Sequence, residues 1–136
     1  MRRALPLALL LALAAGCESG TAARFSISGV ITPAPQLQKL TDNRPNAVLF
    51  IIASNAAGIP VAIRRVVHPK LPLAYTLTEE DLLLPGPVYP GPLTLKVQIT
   101  NHGQVGILAH GDLTGSHRGL VHSGDGGVDV VIDRKI

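Results

Sequence analysis

From residue 25 to residue 100, apolar side chains either recur at every second position or gather in blocks of about seven, and proline, glycine or asparagine separates the blocks. A period of two marks a strand with one buried face, because neighbouring strand side chains point to opposite sides. Residues 25–31 show it first, ended by Pro33 and Pro35, and a polar connection over 36–46 carries one loose helical turn at 37–40. Residues 47–53 form a nearly unbroken apolar run, as expected of a strand covered on both faces. A buried helix is the competing reading; Pro45-Asn46, the polar segment 54–58 and the β-branched content favour the strand. In the next strand, 61–67, Arg64 and Arg65 point to opposite faces, so one of them must snorkel or pair. Residues 71–77 are extended, with Leu73, Tyr75 and Leu77 on one face. Thr78 is placed to cap a short turn through Glu79-Glu80-Asp81, whose carboxylates suit a helix N-terminus.

Beyond 82–84, Pro85-Gly86-Pro87 and Pro90-Gly91-Pro92 bracket a loop. Residues 93–100 alternate most regularly, so their apolar set is predicted to face inward and their polar set to meet water. The last third is rich in turns: one at 101–103, a short strand at 105–108, a turn at 111–115, an edge strand at 119–122 and a last strand at 128–132. About seven short strands without a long helical period predict an all-β, antiparallel β-sandwich over residues 24–136.

The first residues follow a different pattern. Arg2 and Arg3 precede an apolar run over 5–13, and the small residues Ala14, Ala15 and Gly16 lead to Cys17. This has the parts of a secretory signal, and the cysteine directly after it makes it resemble a bacterial lipoprotein signal. That resemblance implies cleavage after residue 16, acyl chains such as palmitate on Cys17, and a flexible tether over 17–23. Glu18 in place of aspartate implies the periplasmic face of an outer membrane. Two or three buried chains at about 0.8 kcal/mol per methylene make a stable anchor. An ordinary signal peptide or a retained membrane helix is the alternative, although the apolar run is short for a bilayer.

Cleavage there leaves 120 of the 136 residues, enough for one domain, and removes two arginines, lowering the formal charge from +3 to about +1. No basic field remains to attract nucleic acid. With two Tyr, two Phe and no Trp, the core must be aliphatic. Cys17 is the sole cysteine, so once acylated it leaves no thiol for a disulfide, a nucleophile or a metal thiolate.

His102, His110, His117 and His122, with Asp112 and Asp125, lie in the turn-rich third, where loops at one end of a sandwich can meet. Neutral imidazoles with a carboxylate suit copper or zinc, which gives a metal-binding alternative. Solvated loop histidines explain the pattern better, since the spacing matches no ligand motif and a blue-copper site needs a thiolate. Glu79-Glu80-Asp81 reads as a solvated turn rather than paired catalytic acids. Neither Ser116-His117 nor Ser123 lies in a nucleophile elbow, so no catalytic residue is assigned and an enzyme is not expected.

In order along the chain, Ser28-Gly29-Val30, the apolar run 47–53, Pro60-Val61-Ala62-Ile63-Arg64-Arg65, Leu71-Pro72-Leu73-Ala74-Tyr75-Thr76-Leu77, Leu84-Pro85-Gly86, Leu95-Lys96-Val97-Gln98-Ile99, Gly111-Asp112-Leu113-Thr114-Gly115 and Val128-Asp129-Val130-Val131-Ile132-Asp133 resemble the C-terminal periplasmic domain of the c-type cytochrome biogenesis proteins called CcmI or CycH. The resemblance spans residues 29–136 and implies an immunoglobulin-like sandwich. In that family the domain follows membrane helices and tetratricopeptide repeats that hold apocytochrome. Here a lipid anchor is expected in their place, and Ala109-His110 stands where proline and glutamine are usual. The resemblance therefore implies a non-enzymatic, cofactor-free module that binds maturation proteins or apocytochrome, by strand addition at a sheet edge or through end loops.

Overall fold

The computed structural model describes residues 24–84 and 91–136. Seven strands form one sheet: β1 (Ser26–Pro33), β2 (Val48–Ser54), β3 (Pro60–Val67), β4 (Leu73–Thr78), β5 (Thr94–Thr100), β6 (Leu113–Ser116) and β7 (Val130–Lys135). Their order is β3-β2-β5-β6-β7-β1-β4. The sheet folds over so that the chain beyond β4 returns to β3, where Ala62 bridges Leu82 and the Leu83 N–H donates to the Val61 carbonyl at 3.0 Å. The all-β class and the immunoglobulin-like layout match the sequence reading. One pairing departs from the antiparallel rule: β1 and β7 run parallel, with Ile31 opposite Val130 and Pro33 opposite Ile132. The other five pairings are antiparallel.

The core follows from the period of two. Ile27 and Ile31, Leu49 and Ile51, Tyr75 and Leu77, Leu95, Val97 and Ile99, Leu113, and Val130 and Ile132 meet in one cluster, closed by Phe25, Leu93 and Val121. β2 is buried along both faces, since Val48, Phe50 and Ile52 form a second cluster with Ile63 on the outer side. The connection after β1 holds a 3₁₀ turn (Pro35–Leu37) and a one-turn helix α1 (Gln38–Asp42), a longer helical piece than the turn predicted at 37–40.

The paired arginines divide as strand geometry requires. Arg64 donates from Nε to Asp81 Oδ1 at 3.2 Å, and Arg65 stays exposed on edge strand β3. Thr78 caps the 3₁₀ turn Glu79–Asp81 in a capping box, with the Thr78 N–H donating to Asp81 Oδ2 at 2.8 Å. Asp81 is therefore not solvated as predicted. It holds the turn and ties it to β3.

Four expectations for the last third fail. Residues 105–108 form no strand, and 119–122 contribute only the Val121 bridge to Leu93. Residues 113–115, expected in a turn, are strand β6, and the last strand begins two residues later than predicted. The cause in β6 is a tight approach: a Cβ on Gly115 would overlap the Val131 carbonyl, so this glycine serves packing between β6 and β7 beside a bulge.

Gly29 plays the same part in β1. A Cβ there would overlap the Val128 carbonyl oxygen, which lies over the strand. Tyr75, opposite Gly29 on β4, covers the missing side chain, and its hydroxyl donates to that oxygen at 2.6 Å. Burial first, and the Asp129 charge second, push the phenol well above its ordinary value of 10.0. Tyr75→Phe is expected to cost about 1–3 kcal/mol in urea unfolding at pH 7, because it orphans a buried carbonyl. Below pH 10 the phenol is neutral in both states. Above it the unfolded chain loses the proton first, so stability falls with rising pH, and the Phe variant lacks that share of the fall.

Candidate functional site

Two places gather polar side chains: the end of the sandwich where the histidines lie, and the outer face of the sheet.

At the first, Asp112 precedes β6 and is 3% exposed. Its Oδ2 accepts from the Ala109 N–H at 2.9 Å and from His102 Nε2 at 2.9 Å. Burial alone would raise this carboxyl, but the bonds from Ala109, His102 and Thr100, with the charge of His102, hold it below its ordinary 3.8. The Gln104 N–H donates to His102 Nδ1 at 3.1 Å, so the neutral ring carries its proton on Nε2 and gives it to Asp112. Both ring nitrogens are thereby used.

The other histidines lie apart. His117 Nδ1 donates to the Asp129 carbonyl at 2.7 Å, and the exposed His122 takes part through its backbone, its N–H donating to Asp125 Oδ2 at 2.8 Å and its carbonyl accepting from the Asp125 N–H at 3.0 Å. His110 is exposed and shares a shallow pocket of about 360 Å³ with His102 and Asp112. Arg44 lines the same pocket and donates from Nη2 to the Gly111 carbonyl at 2.6 Å, so a cation is already fixed beside His102 and His110. Among the described residues, no group of three or more His, Cys, Asp or Glu side chains is placed to hold a metal ion. The metal-binding alternative on His102, His110, His117 and His122 therefore finds no ligand set here. Cys17, the expected acylation site, lies outside the described residues. No helix among them is long and apolar enough to cross a membrane.

The second place was not foreseen. The polar set of β5 was expected to meet water, yet Gln98 and Thr100 are buried. Segment 101–110 folds back over the outer face, and Gln98 fastens it, donating from Nε2 to the Ile107 carbonyl at 2.8 Å and the Gln104 carbonyl at 3.3 Å and accepting from the Gly106 N–H at 2.9 Å. An amide side chain is suited to this, since it donates and accepts at once. The apolar residues of 105–108, which suggested a strand, instead project from this flap: Val105 is 38% exposed and Leu108 51%.

The flap and the sheet enclose a groove of about 430 Å³. Register places Ile63, Ile52, Lys96 and Ser116 side by side across β3, β2, β5 and β6, and Thr114 beside Arg134 of β7. Ile52 and Ile63 line one end, Val105 and Leu108 belong to the flap, and Lys96 and Arg134 are the charged residues of the lining. Neither cation forms an ion pair among the described residues. Strand alternation alone indicates that Lys96 and Gln98 share a face; it does not indicate that a later loop lies over one of them.

In comparison with known proteins, the family model for the cytochrome c-type biogenesis protein H Ig-like domain matches residues 27–133, from β1 into β7. No curated protein and no solved structure matches the chain.

Proposed function

The chain belongs to the family of cytochrome c-type biogenesis protein H Ig-like domains, and from that membership we propose that it is a non-enzymatic docking module for the maturation of c-type cytochromes, held at the periplasmic face of the outer membrane by lipid on Cys17. The observation that carries the reading is the extent of the match, which takes in strands from both edges of the sheet and all of the main core cluster except Phe25. A binding role is supported by how the polar side chains are used. His102, Asp112 and Tyr75 each serve a structural hydrogen bond, whereas the outer groove keeps two cations that form no ion pair among the described residues, beside the exposed Val105 and Leu108. The lipid anchor rests on residues 2–17 alone.

Two measurements test the reading. Cross-linking of the full chain in intact cells is expected to recover haem-ligation proteins or apocytochrome, and deletion of the gene is expected to lower haem-stained c-type cytochromes. Recovery of neither, with cytochromes unchanged, rejects the maturation role. For the anchor, mass spectrometry is expected to find an acylated Cys17 at a new N-terminus. Cys17→Ser is expected to move the chain from the membrane to the soluble fraction, since the chains supply about 0.8 kcal/mol per methylene. An unmodified Cys17 overturns it.

A further inference from the structure

We propose that the outer groove binds an extended segment of the partner polypeptide whose apolar side chains seat on Ile52 and Ile63 and whose carboxylates meet Lys96 and Arg134; this rests on the docking role proposed above. Three features of the groove select that occupant. Its lining spans five strands, and four spacings of about 4.8 Å make it roughly 19 Å long, which at about 3.3 Å per residue accommodates some six extended residues. Its ends differ in chemistry: isoleucines on β2 and β3 form the apolar end, and Lys96 and Arg134 on β5 and β7 form the cationic end, with the Thr114 and Ser116 hydroxyls between them free to bond a peptide backbone. Among the described residues its charge is uncompensated, since no carboxylate lines it and neither cation is in an ion pair.

A purely ionic ligand would leave the exposed Val105 and Leu108 beside the isoleucine end in water, and a purely apolar one would bury two cations without partners, which is costly. A segment apolar at one end and acidic at the other satisfies both. Electrostatic complementarity of this kind chooses the partner and its direction in the groove.

The test uses the full chain and fluorescein-labelled hexapeptides, with leucines in one half and aspartates in the other, made in both orders. Fluorescence anisotropy is expected to show salt-sensitive binding to one of them, with lysine-for-aspartate and serine-for-leucine versions at least about tenfold weaker. Lys96→Glu with Arg134→Glu, and separately Leu108→Asp on the exposed flap, are each expected to weaken binding about tenfold or more while the urea midpoint stays near that of the parent, which separates lost binding from lost fold. In NMR the shifts are expected at Ile52, Ile63, Val105 and Leu108.

Equal binding of the lysine peptide, no binding of either acidic peptide, or shifts centred elsewhere overturns the proposal. So do shifts at these residues that grow with protein concentration alone, which would make the groove a contact between two copies. If cross-linking recovers maturation proteins equally well with the Lys96→Glu, Arg134→Glu variant, the groove is rejected and the docking role stands. If the parent chain recovers none while the peptides bind as expected, the docking role fails and the groove's preference remains.

Discussion

Gly29→Ala is expected to remove about 4 kcal/mol or more of stability, enough to leave little folded protein, since a typical domain holds only about 5–15 kcal/mol. The added methyl would occupy the space of the Val128 carbonyl oxygen. Backbone cannot step aside as a flexible side chain does, and Val128 is held on both sides: its N–H donates to the Ser28 carbonyl at 2.8 Å, and its carbonyl accepts from Tyr75 at 2.6 Å. Relief would have to separate β1 from the segment entering β7. Urea unfolding measures the loss where soluble protein survives. Gly126→Ala is the control: there a Cβ meets only Ser28 Oγ at an ordinary 3.6 Å, so the expected change is within about 0.5 kcal/mol. A stable, normally folded Gly29→Ala protein would refute this account of how β1 and β7 meet.

Asp112→Ala is expected to cost about 3 kcal/mol at pH 7, because it leaves the Ala109 N–H and the His102 Nε2–H without their acceptor in a buried site. Asp112→Asn keeps one oxygen and is expected to lose about half as much, with a different response to acid. The carboxyl is held below its ordinary 3.8 in the fold, so the unfolded chain binds its proton first as pH falls. Its stabilisation is complete above that ordinary value, shrinks below it, and is gone once pH drops through the folded value. Urea midpoints from pH 7 down to pH 2.5 are therefore expected to converge for parent and Asn variant at the acid end. Parallel curves would mean that Asp112 contributes no more as an anion than as an amide.

The first five strands could be read from alternation because each buries one face or both in a regular way. Leu49, Ile51, Val97 and Ile99 are where the period of two puts them, and Arg64 pairs because its face turns inward. Past Thr100 that logic weakens. Gly115 has the look of turn punctuation, yet it lies in a strand, because the absence of a side chain serves a passing carbonyl as well as it serves a turn. Asp112 has the look of a loop acid or a ligand, and its role as a shared acceptor depends on His102, ten residues away, arriving from another turn. Gln98 and the flap over it are a tertiary event, invisible to any local pattern. The order of motifs therefore identified the family, while the groove needed the fold.

The place of β7 between β6 and β1 has a consequence for how the polypeptide acquires its shape as it emerges. Without β7 the strands fall into two groups, β3-β2-β5-β6 and β1-β4, joined through the Ala62–Leu82 bridge and each with an edge exposed where β7 belongs. Folding must include the long closure that brings Ile31 of β1 beside Val130 of β7, which makes assembly slow relative to a protein built from local contacts. The open edges of β6 and β1 are therefore covered together, by the arrival of one strand.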